Sequence, residues 1–268
     1  MSENRMSESR MSLAAPHRSQ VLETQGKQLI LDGPQLFAHY SFMPNRLTYC
    51  GGEDSQALFD YCIAGASDGG LVELLKNFAG ALPYMRLIAR SNLIADPFDI
   101  RVVEAYWLGN DLLQGVEANQ MYADLRERFS RHLNARNLDL VLGKAPQGAR
   151  PHHCFHVIEV CPRNGWPQTL HFMDNCRVSW GQVITVYEGT LTAQVSRLSL
   201  QGNNLVLGNP EPHVINRQID GQGFVDEVKP GDWISIHWGW ACQILSHMQA
   251  SNLEKWTRYH LALANQTL

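Results

Sequence analysis

Cys176-Arg-Val-Ser-Trp-Gly-Gln-Val183 and Lys229-Pro-Gly-Asp-Trp-Ile-Ser-Ile-His-Trp-Gly239 are the two stretches that decide the fold. The first contains Gly181, a residue type that lets a strand bend at the corner of a small barrel. The second passes a Pro-Gly turn and then alternates, with Trp233, Ser235 and His237 on one side. Each stretch is predicted to be a strand, and together they are predicted to bracket one small β-barrel.

A thiol opens the first stretch and an imidazole closes the second. Cys176 and His237 lie about sixty positions apart in the chain, but strands of one barrel bring such residues together. Cys and His as a pair either activate a nucleophile or hold a soft metal ion. Singly, a cysteine is more often a small buried hydrophobe and a strand histidine more often a hydrogen-bonded packing residue. Without further signals around them, these two structural roles are the commoner ones.

The same residues resemble the HypC family of [NiFe]-hydrogenase maturation chaperones. In that family a Cys-x-x-x-Pro-Gly-Gln-Val string opens the barrel and a Gly-Asp-x-Val-x-Val-His-x-Gly-Phe-Ala string closes it. The matching positions here are Cys176, Gly181, Gln182, Val183, Gly231, Asp232, His237, Gly239 and Ala241. Trp180 stands in place of the family proline, and Cys176 is internal, whereas the family cysteine directly follows the initiator methionine. The resemblance covers roughly the last third of the chain.

The resemblance implies a small OB-type barrel followed by a helix, and a function in hydrogenase maturation. The expected cargo is an iron centre with cyanide and carbonyl ligands, bound through Cys176, with His237 as a second ligand or as the group that lowers the thiol pKa. The expected partners are a hydrogenase large-subunit precursor and a HypD-like maturation protein. A chaperone or scaffold is therefore expected rather than an enzyme.

The composition narrows the class of partner. The chain has 268 residues, 44% of them apolar and 18% charged, which is ordinary for a globular protein. The net charge of −4, without a basic run, disfavours a nucleic-acid surface, since phosphate contacts need clustered Lys and Arg. No apolar run reaches the length of a membrane span and no signal peptide is recognisable, so a cytoplasmic protein is predicted. The six cysteines show no paired framework and no Cys-x-x-Cys, and they are expected to be thiols.

The chain divides by its hydrophobic period into three regions. Residues 1–34 are predicted to be a disordered leader, because the first part is polar and repeats a Met-Ser-Glu pattern. Residues 35–143 carry helical signals cut by Gly and Pro, and the clearest helices are predicted over 97–113, capped by Asp96, and over 117–134. The segment 143–150 is rich in Gly, Pro and Gln and is predicted to be a linker.

Residues 150–268 are predicted to form the β-barrel domain with a C-terminal helix. Strands are predicted over 154–160, 169–173, 177–187, 191–198, 205–207 and 233–238. The helix is predicted over 248–264, with Ser246 and Gln249 forming a capping box. The fold class is therefore α+β, a helical half followed by a barrel half.

A second group of ligand-type residues lies in Pro151-His-His-Cys-Phe-His-Val157. His152, His153 and His156 could offer imidazoles to one transition metal, whether the segment is a strand or a helix. The alternative, equally weighted, is that these histidines cap a linker and bind backbone carbonyls. The N-terminal half also resembles an uncharacterised bacterial family that shares the Phe37-Ala-His-Tyr-x-Phe and Val102-Val-Glu-Ala-Tyr-Trp-x-Gly-Asn110 strings, a likeness that implies no chemistry.

Two further functions stay open at this point. A cysteine-dependent enzyme would use Cys176 as nucleophile and His237 as base, with Asp174 and His213 as the nearest candidates in sequence for an orienting group. An oligonucleotide-binding barrel is disfavoured by the acidic balance.

Overall fold

The computed structural model describes residues 31–167 and 169–267. In these residues the α-helices are α1 (Gly33–Arg46), α2 (Ser55–Ala64), α3 (Gly69–Leu75), α4 (Leu82–Ser91), α5 (Ile100–Trp107), α6 (Ala118–Phe129), α7 (Ala135–Gly143), α8 (His153–Phe155), α9 (Leu170–Cys176) and α10 (His247–Ala264). Two 3₁₀ segments cover Asp111–Gly115 and Pro162–Asn164, and a π-helical turn, His156–Val160, continues α8. Most of the predicted leader, up to residue 30, lies outside the described residues.

The strands lie between α9 and α10 along the chain. They are β1 (Ser179–Val186), β2 (Thr190–Val195), β3 (Leu198–Gln201), β4 (Asn204–Leu207), β5 (Glu211–Asn216), β6 (Gln218–Ile219), β7 (Gln222–Gly223), β8 (Trp233–His237) and β9 (Trp240–Leu245). Five of them form a mixed sheet in the order β1-β2-β5-β9-β8, and β8 also pairs with β1, so that the order is closed. Only the short β5–β9 contact is parallel. The prediction of an α+β fold with a C-terminal helix is confirmed.

Gly181 lies where two strands of the sheet approach each other closely. It lies inside β1, paired with Val195 on one side and Ile234 on the other. A Cβ atom at this position would lie 2.8 Å from the Gln194 carbonyl oxygen and 2.8 Å from a Val195 methyl group, so no larger residue fits. The glycine therefore permits the close approach of β2 to β1.

The helical half begins earlier than predicted. The Asp32 carboxylate accepts a hydrogen bond from the Gln35 amide and caps α1, so residues 33 and 34 belong to a helix rather than to a leader. The helix predicted over 97–113 is shorter: Asp99, rather than Asp96, caps α5, which ends at Trp107. The predicted capping box of Ser246 and Gln249 is present at α10.

Two segments predicted as strands are helical. Residues 154–160 continue from α8 into the π-helical turn, and residues 170–173 lie in α9, which the Thr169 hydroxyl caps by accepting from the Phe172 amide. The first segment is buried on nearly all sides, so its β-branched residues pack around a helix instead of forming a pleated face. Local β-propensity is overridden here by burial.

The predicted linker is instead a packed turn. Lys144 is fully buried, and its ammonium donates to the Leu263 carbonyl at 2.6 Å and pairs with Glu159 at 3.1 Å. The main hydrophobic core likewise runs through both halves of the chain, from Phe37 in α1 to Trp240 in β9 and Leu253 in α10. Helix α1 is thus the element that joins the helical half to the five-stranded sheet.

Candidate metal centre

Three side chains converge where α8, α9 and β8 meet. His153 begins α8, Cys176 ends α9 and His237 ends β8. One potential ligand atom from each, two imidazole nitrogens and the thiol sulfur, lies within 4.8 Å of the others. Metal–nitrogen and metal–sulfur bonds of about 2.0–2.3 Å place donors roughly 3.5 Å apart, so small side-chain movements would enclose an ion. His153, Cys176 and His237 together form the candidate metal centre.

Cys176 was predicted to open a strand, but it is the last residue of helix α9. Next to it, the Asp174 carboxylate is buried and accepts a hydrogen bond from the Leu198 amide at 2.9 Å. The same carboxylate pairs with Arg177 at 2.8 Å and also with Arg197. These charge-assisted contacts fix the last turn of α9, and with it the direction of the thiol.

His237 is placed by a tight hairpin. Trp238 and Gly239 join β8 to β9 with φ values of 54° and 70°, the left-handed pair that a two-residue type I′ turn needs. A tryptophan in this conformation is strained by about 1 kcal/mol or more. The Trp238 amide donates to the Asn175 carbonyl at 2.9 Å, which attaches the turn to α9 beside Cys176. This hydrogen bond helps to hold Cys176 and His237 near each other, although about sixty residues separate them in sequence.

His153 is held from both sides of its ring. Its Nε2 lies 2.8 Å from the Cys176 carbonyl oxygen and its Nδ1 lies 3.1 Å from the Tyr106 hydroxyl. Because a carbonyl only accepts, Nε2 carries the proton here and Nδ1 accepts from Tyr106. If Nε2 bound a metal instead, Nδ1 would carry the proton and donate to the Tyr106 oxygen.

His237 is held by one nitrogen only. Its Nδ1 donates to the Tyr40 carbonyl at 2.6 Å, and its Nε2 is buried without a hydrogen-bond partner among the described residues. Both histidines therefore have Nδ1 fixed by a group of the helical half, which is the usual way in which a protein orients a metal-binding imidazole. An unpaired buried nitrogen costs free energy that a bound metal ion would recover.

The charges of the three groups suit a metal ion better than an ion pair. Burial, with the nearby His237 imidazole, lowers the pKa of His153 well below its usual value, and burial lowers that of His237 to about 4. Burial and the neighbouring thiols Cys161 and Cys50 raise the pKa of Cys176, against a smaller opposite effect of Trp238. At neutral pH the centre thus holds two neutral imidazoles and a thiol that a cation would deprotonate.

Aromatic rings surround the centre. Trp107 lies 4.5 Å from His153 and 5.6 Å from His237, measured between ring centroids. On the side of Cys176, Tyr49 stacks on Trp238 at 4.2 Å. Tyr40, Tyr106 and Trp107 were not predicted as site residues, although all three lie in the two N-terminal strings quoted above, around residues 37–42 and 102–110. An aromatic string gives no sign of which ring faces a histidine from another segment.

The predicted group of His152, His153 and His156 does not form one site. His152 caps α8, its Nδ1 accepting from the Cys154 amide at 3.2 Å, and its ring stacks on His260. His156 contacts the Tyr84 hydroxyl at 3.4 Å. Only His153 faces Cys176 and His237, so the alternative of structural capping holds for His152.

Comparison with known proteins gives a family without a known activity. The family model that matches is DUF6390, a family of unknown function, over residues 30–268. No curated protein and no solved structure matches the chain. The likeness to hydrogenase chaperones therefore rests on the residues of the two strings.

Within the described residues, no helix is long and apolar enough to cross a membrane.

Proposed function

The chain belongs to the DUF6390 family, and we propose that it is a metal-carrying maturation protein that holds an iron centre at His153, Cys176 and His237. The cargo is iron with cyanide and carbonyl ligands, and its recipient is a hydrogenase large-subunit precursor, with a HypD-like protein as the donor or partner. The identity of the cargo and partners comes from the resemblance to the chaperone family.

The observation that carries the proposal is the convergence of a thiol and two oriented imidazoles, one of them with an unpaired buried nitrogen. Thiolate sulfur and imidazole nitrogen are donors that suit iron and zinc. Three protein donors leave coordination positions for small exogenous ligands, as open metal sites do. A carrier needs such positions, because part of the ligand set must travel with the metal.

A cysteine-dependent enzyme is the second candidate, and the same geometry supports it less. His237 could accept the Cys176 proton through its free Nε2, but its Nδ1 is bonded to a carbonyl oxygen rather than to a carboxylate. Asp174, the carboxylate nearest in sequence, is engaged by Arg177 and Arg197. Without an anionic partner, an imidazolium beside a buried thiolate is poorly stabilised.

The test is metal analysis of full-length protein purified without oxygen. Wild type is expected to retain iron and to show infrared bands of cyanide and carbonyl ligands. Cys176→Ser exchanges a soft sulfur donor for a hard oxygen of similar size and should lose the iron while keeping its circular-dichroism spectrum. Cys62→Ser, the same exchange at a buried thiol of α2 outside the candidate centre, is the matched control and should retain it.

Three results would contradict the proposal. Iron retained equally by Cys176→Ser would remove the thiol from the centre. Metal without cyanide or carbonyl bands would leave a metal site but reject the maturation cargo. If metal-free protein turned over an electrophilic substrate, and Cys176→Ser abolished this turnover, the result would favour a cysteine-dependent enzyme.

A further inference from the structure

A second site lies apart from the metal centre. A cavity of about 660 Å³ opens between α1, the end of α2, α5, the start of α10, β9 and the segment that follows β7. Its volume falls in the range of small-molecule sites. None of the metal-centre residues lines it. Its walls include the apolar side chains of Leu36, Ile63, Ile100, Phe224, Val225 and Ile244.

The charged groups of the cavity are mainly acidic. Glu104, Asp226 and Glu227 line it, against one cationic side chain, Arg101. Asp226 is paired with Arg217 at 3.6 Å, which leaves Glu104 and Glu227 as the acidic groups that matter most for a ligand. The Arg101 guanidinium binds both oxygens of Asp99, at 2.9 and 2.6 Å, so its charge is already compensated. The cavity therefore presents a negative potential to a ligand.

Glu104 is the carboxylate best prepared for a cation. It accepts hydrogen bonds from Gln249 Nε2 at 2.8 Å and from Asn110 Nδ2 at 3.2 Å. Both donors are neutral amides, and within the described residues no Lys, Arg or His forms an ion pair with this carboxylate. The amides fix its orientation and leave its charge without a counterion.

His39 adds a buried acceptor. It is 5% exposed, its Nδ1 donates to the Cys242 carbonyl at 3.0 Å, and its Nε2 has no hydrogen-bond partner among the described residues. The ring stacks against Phe224 at 4.4 Å, and both residues line the cavity. Since Nδ1 carries the proton, Nε2 is an acceptor that calls for a donor from a ligand. Burial lowers the His39 pKa to about 4, which keeps this nitrogen neutral.

We propose that this cavity binds an organic cation with an apolar body and a protonated amine. The ammonium group lies against Glu104, an N–H donor of the ligand reaches His39, and an aromatic or aliphatic body packs on Phe224 and the surrounding aliphatic side chains. The pairing follows from what the cavity offers, namely acceptors and unpaired negative charge inside an apolar wall.

The test is calorimetric titration of the full-length protein with three indole probes. Tryptamine carries the ammonium, tryptophol replaces it by a hydroxyl in the same skeleton, and indole-3-propionate carries a negative charge. Tryptamine is expected to bind about tenfold or more tighter than tryptophol, the usual weight of a charge-assisted hydrogen bond, and indole-3-propionate to bind weakest.

Variants locate the binding. Glu104→Gln should abolish most of the advantage of tryptamine over tryptophol, and Glu227→Gln, a change at an exposed rim residue, should reduce it by about twofold. Glu188→Gln, at an exposed acidic residue outside the cavity, should leave it unchanged. His39→Phe keeps a ring for the stack on Phe224 and should weaken tryptamine.

The proposal is overturned if tryptophol or indole-3-propionate binds as tightly as tryptamine. It is also overturned if tryptamine shows no binding at millimolar concentration, or if Glu104→Gln and Glu227→Gln both keep wild-type affinity. Because Glu227 is exposed, Glu227→Gln is expected to fold even if the variants at Glu104 or His39 do not.

Discussion

His237 donates through Nδ1 to the backbone carbonyl of Tyr40 at 2.6 Å, across 197 positions of sequence. This hydrogen bond joins the last residue of β8 to the middle of α1, while Nε2 of the imidazole is buried and has no hydrogen-bond partner among the described residues. A backbone acceptor cannot be removed by mutation of the Tyr40 side chain. The orientation of His237 is thus a property of the packing between α1 and the five-stranded sheet.

The first prediction concerns the other histidine. Tyr106→Phe removes the hydroxyl that fixes Nδ1 of His153, 3.1 Å away. Affinity for Fe(II), measured anaerobically by competition with a chelator, should fall about 10- to 100-fold, the usual effect of losing a group that orients a ligand. Tyr122→Phe, at an exposed ring, is the control. Equal affinity in the two variants would mean that Tyr106 does not support a metal ligand.

The second prediction concerns access to Cys176. Trp238→Gly keeps the left-handed turn, relieves the strain at φ 54° and removes the ring that Tyr49 stacks on. In a Cys50→Ala background, which removes the exposed thiol, Cys176 should react faster with a disulfide reagent. Adding Cys176→Ser should abolish the fast phase. An unchanged rate would show that Trp238 does not shield the thiol.

The third prediction concerns the packed turn after α7. Lys144→Met leaves the buried carboxylate of Glu159 with Arg163 alone and removes a bond to the Leu263 carbonyl. The free energy of unfolding should fall by about 3–5 kcal/mol, as when one partner of a buried pair is lost. Lys76→Met, at an exposed pair with Glu73, should cost about 1 kcal/mol or less. Similar losses in both would mean that Lys144 is dispensable.

The fourth prediction concerns pH. Burial lowers the pKa of His260 to about 4, and the positive charge of Arg150 also lowers it. The imidazole ring of His260 stacks on that of His152. Well above pH 6.5 the folded and unfolded forms are both neutral at this site. As pH falls from about 6.5 to 4, His260 takes up a proton only in the unfolded chain. The free energy of unfolding therefore falls by a total on the order of 3 kcal/mol.

Urea denaturation at several pH values measures this decline. His260→Gln should make the dependence of the unfolding free energy on pH between 6.5 and 4 shallower by the share of one proton. His39, His153 and His237, whose pKa values burial also lowers, keep their own share. His247→Gln, at an exposed position, should show the wild-type dependence. The same slope in all three proteins would mean that His260 protonates as readily in the folded state as in the unfolded one.

Part of the fold and of the candidate site could be predicted, because the period of apolar residues and the two strings can be recognised in the sequence. The period of the apolar residues predicts helices before residue 143, and the alternation in 233–237 predicts β8. The two strings predict that Cys176 and His237 meet, and their ligand atoms lie within 4.8 Å of each other. The choice of His153 over His152 and His156 was not predictable, because spacing alone fits both a strand and a helix.

The sequence by itself determined the α+β class and the capped C-terminal helix, because caps and periodicity act between residues close in the chain. The two strings also predicted that Cys176 and His237 come together. Only the tertiary structure decided that residues 154–160 are helical, that Cys176 ends a helix, and that Tyr40 and Tyr106 orient the histidines. These features depend on which groups satisfy buried polar atoms across 47 to 197 positions of sequence. Packing sets those pairings, and local propensity does not encode them.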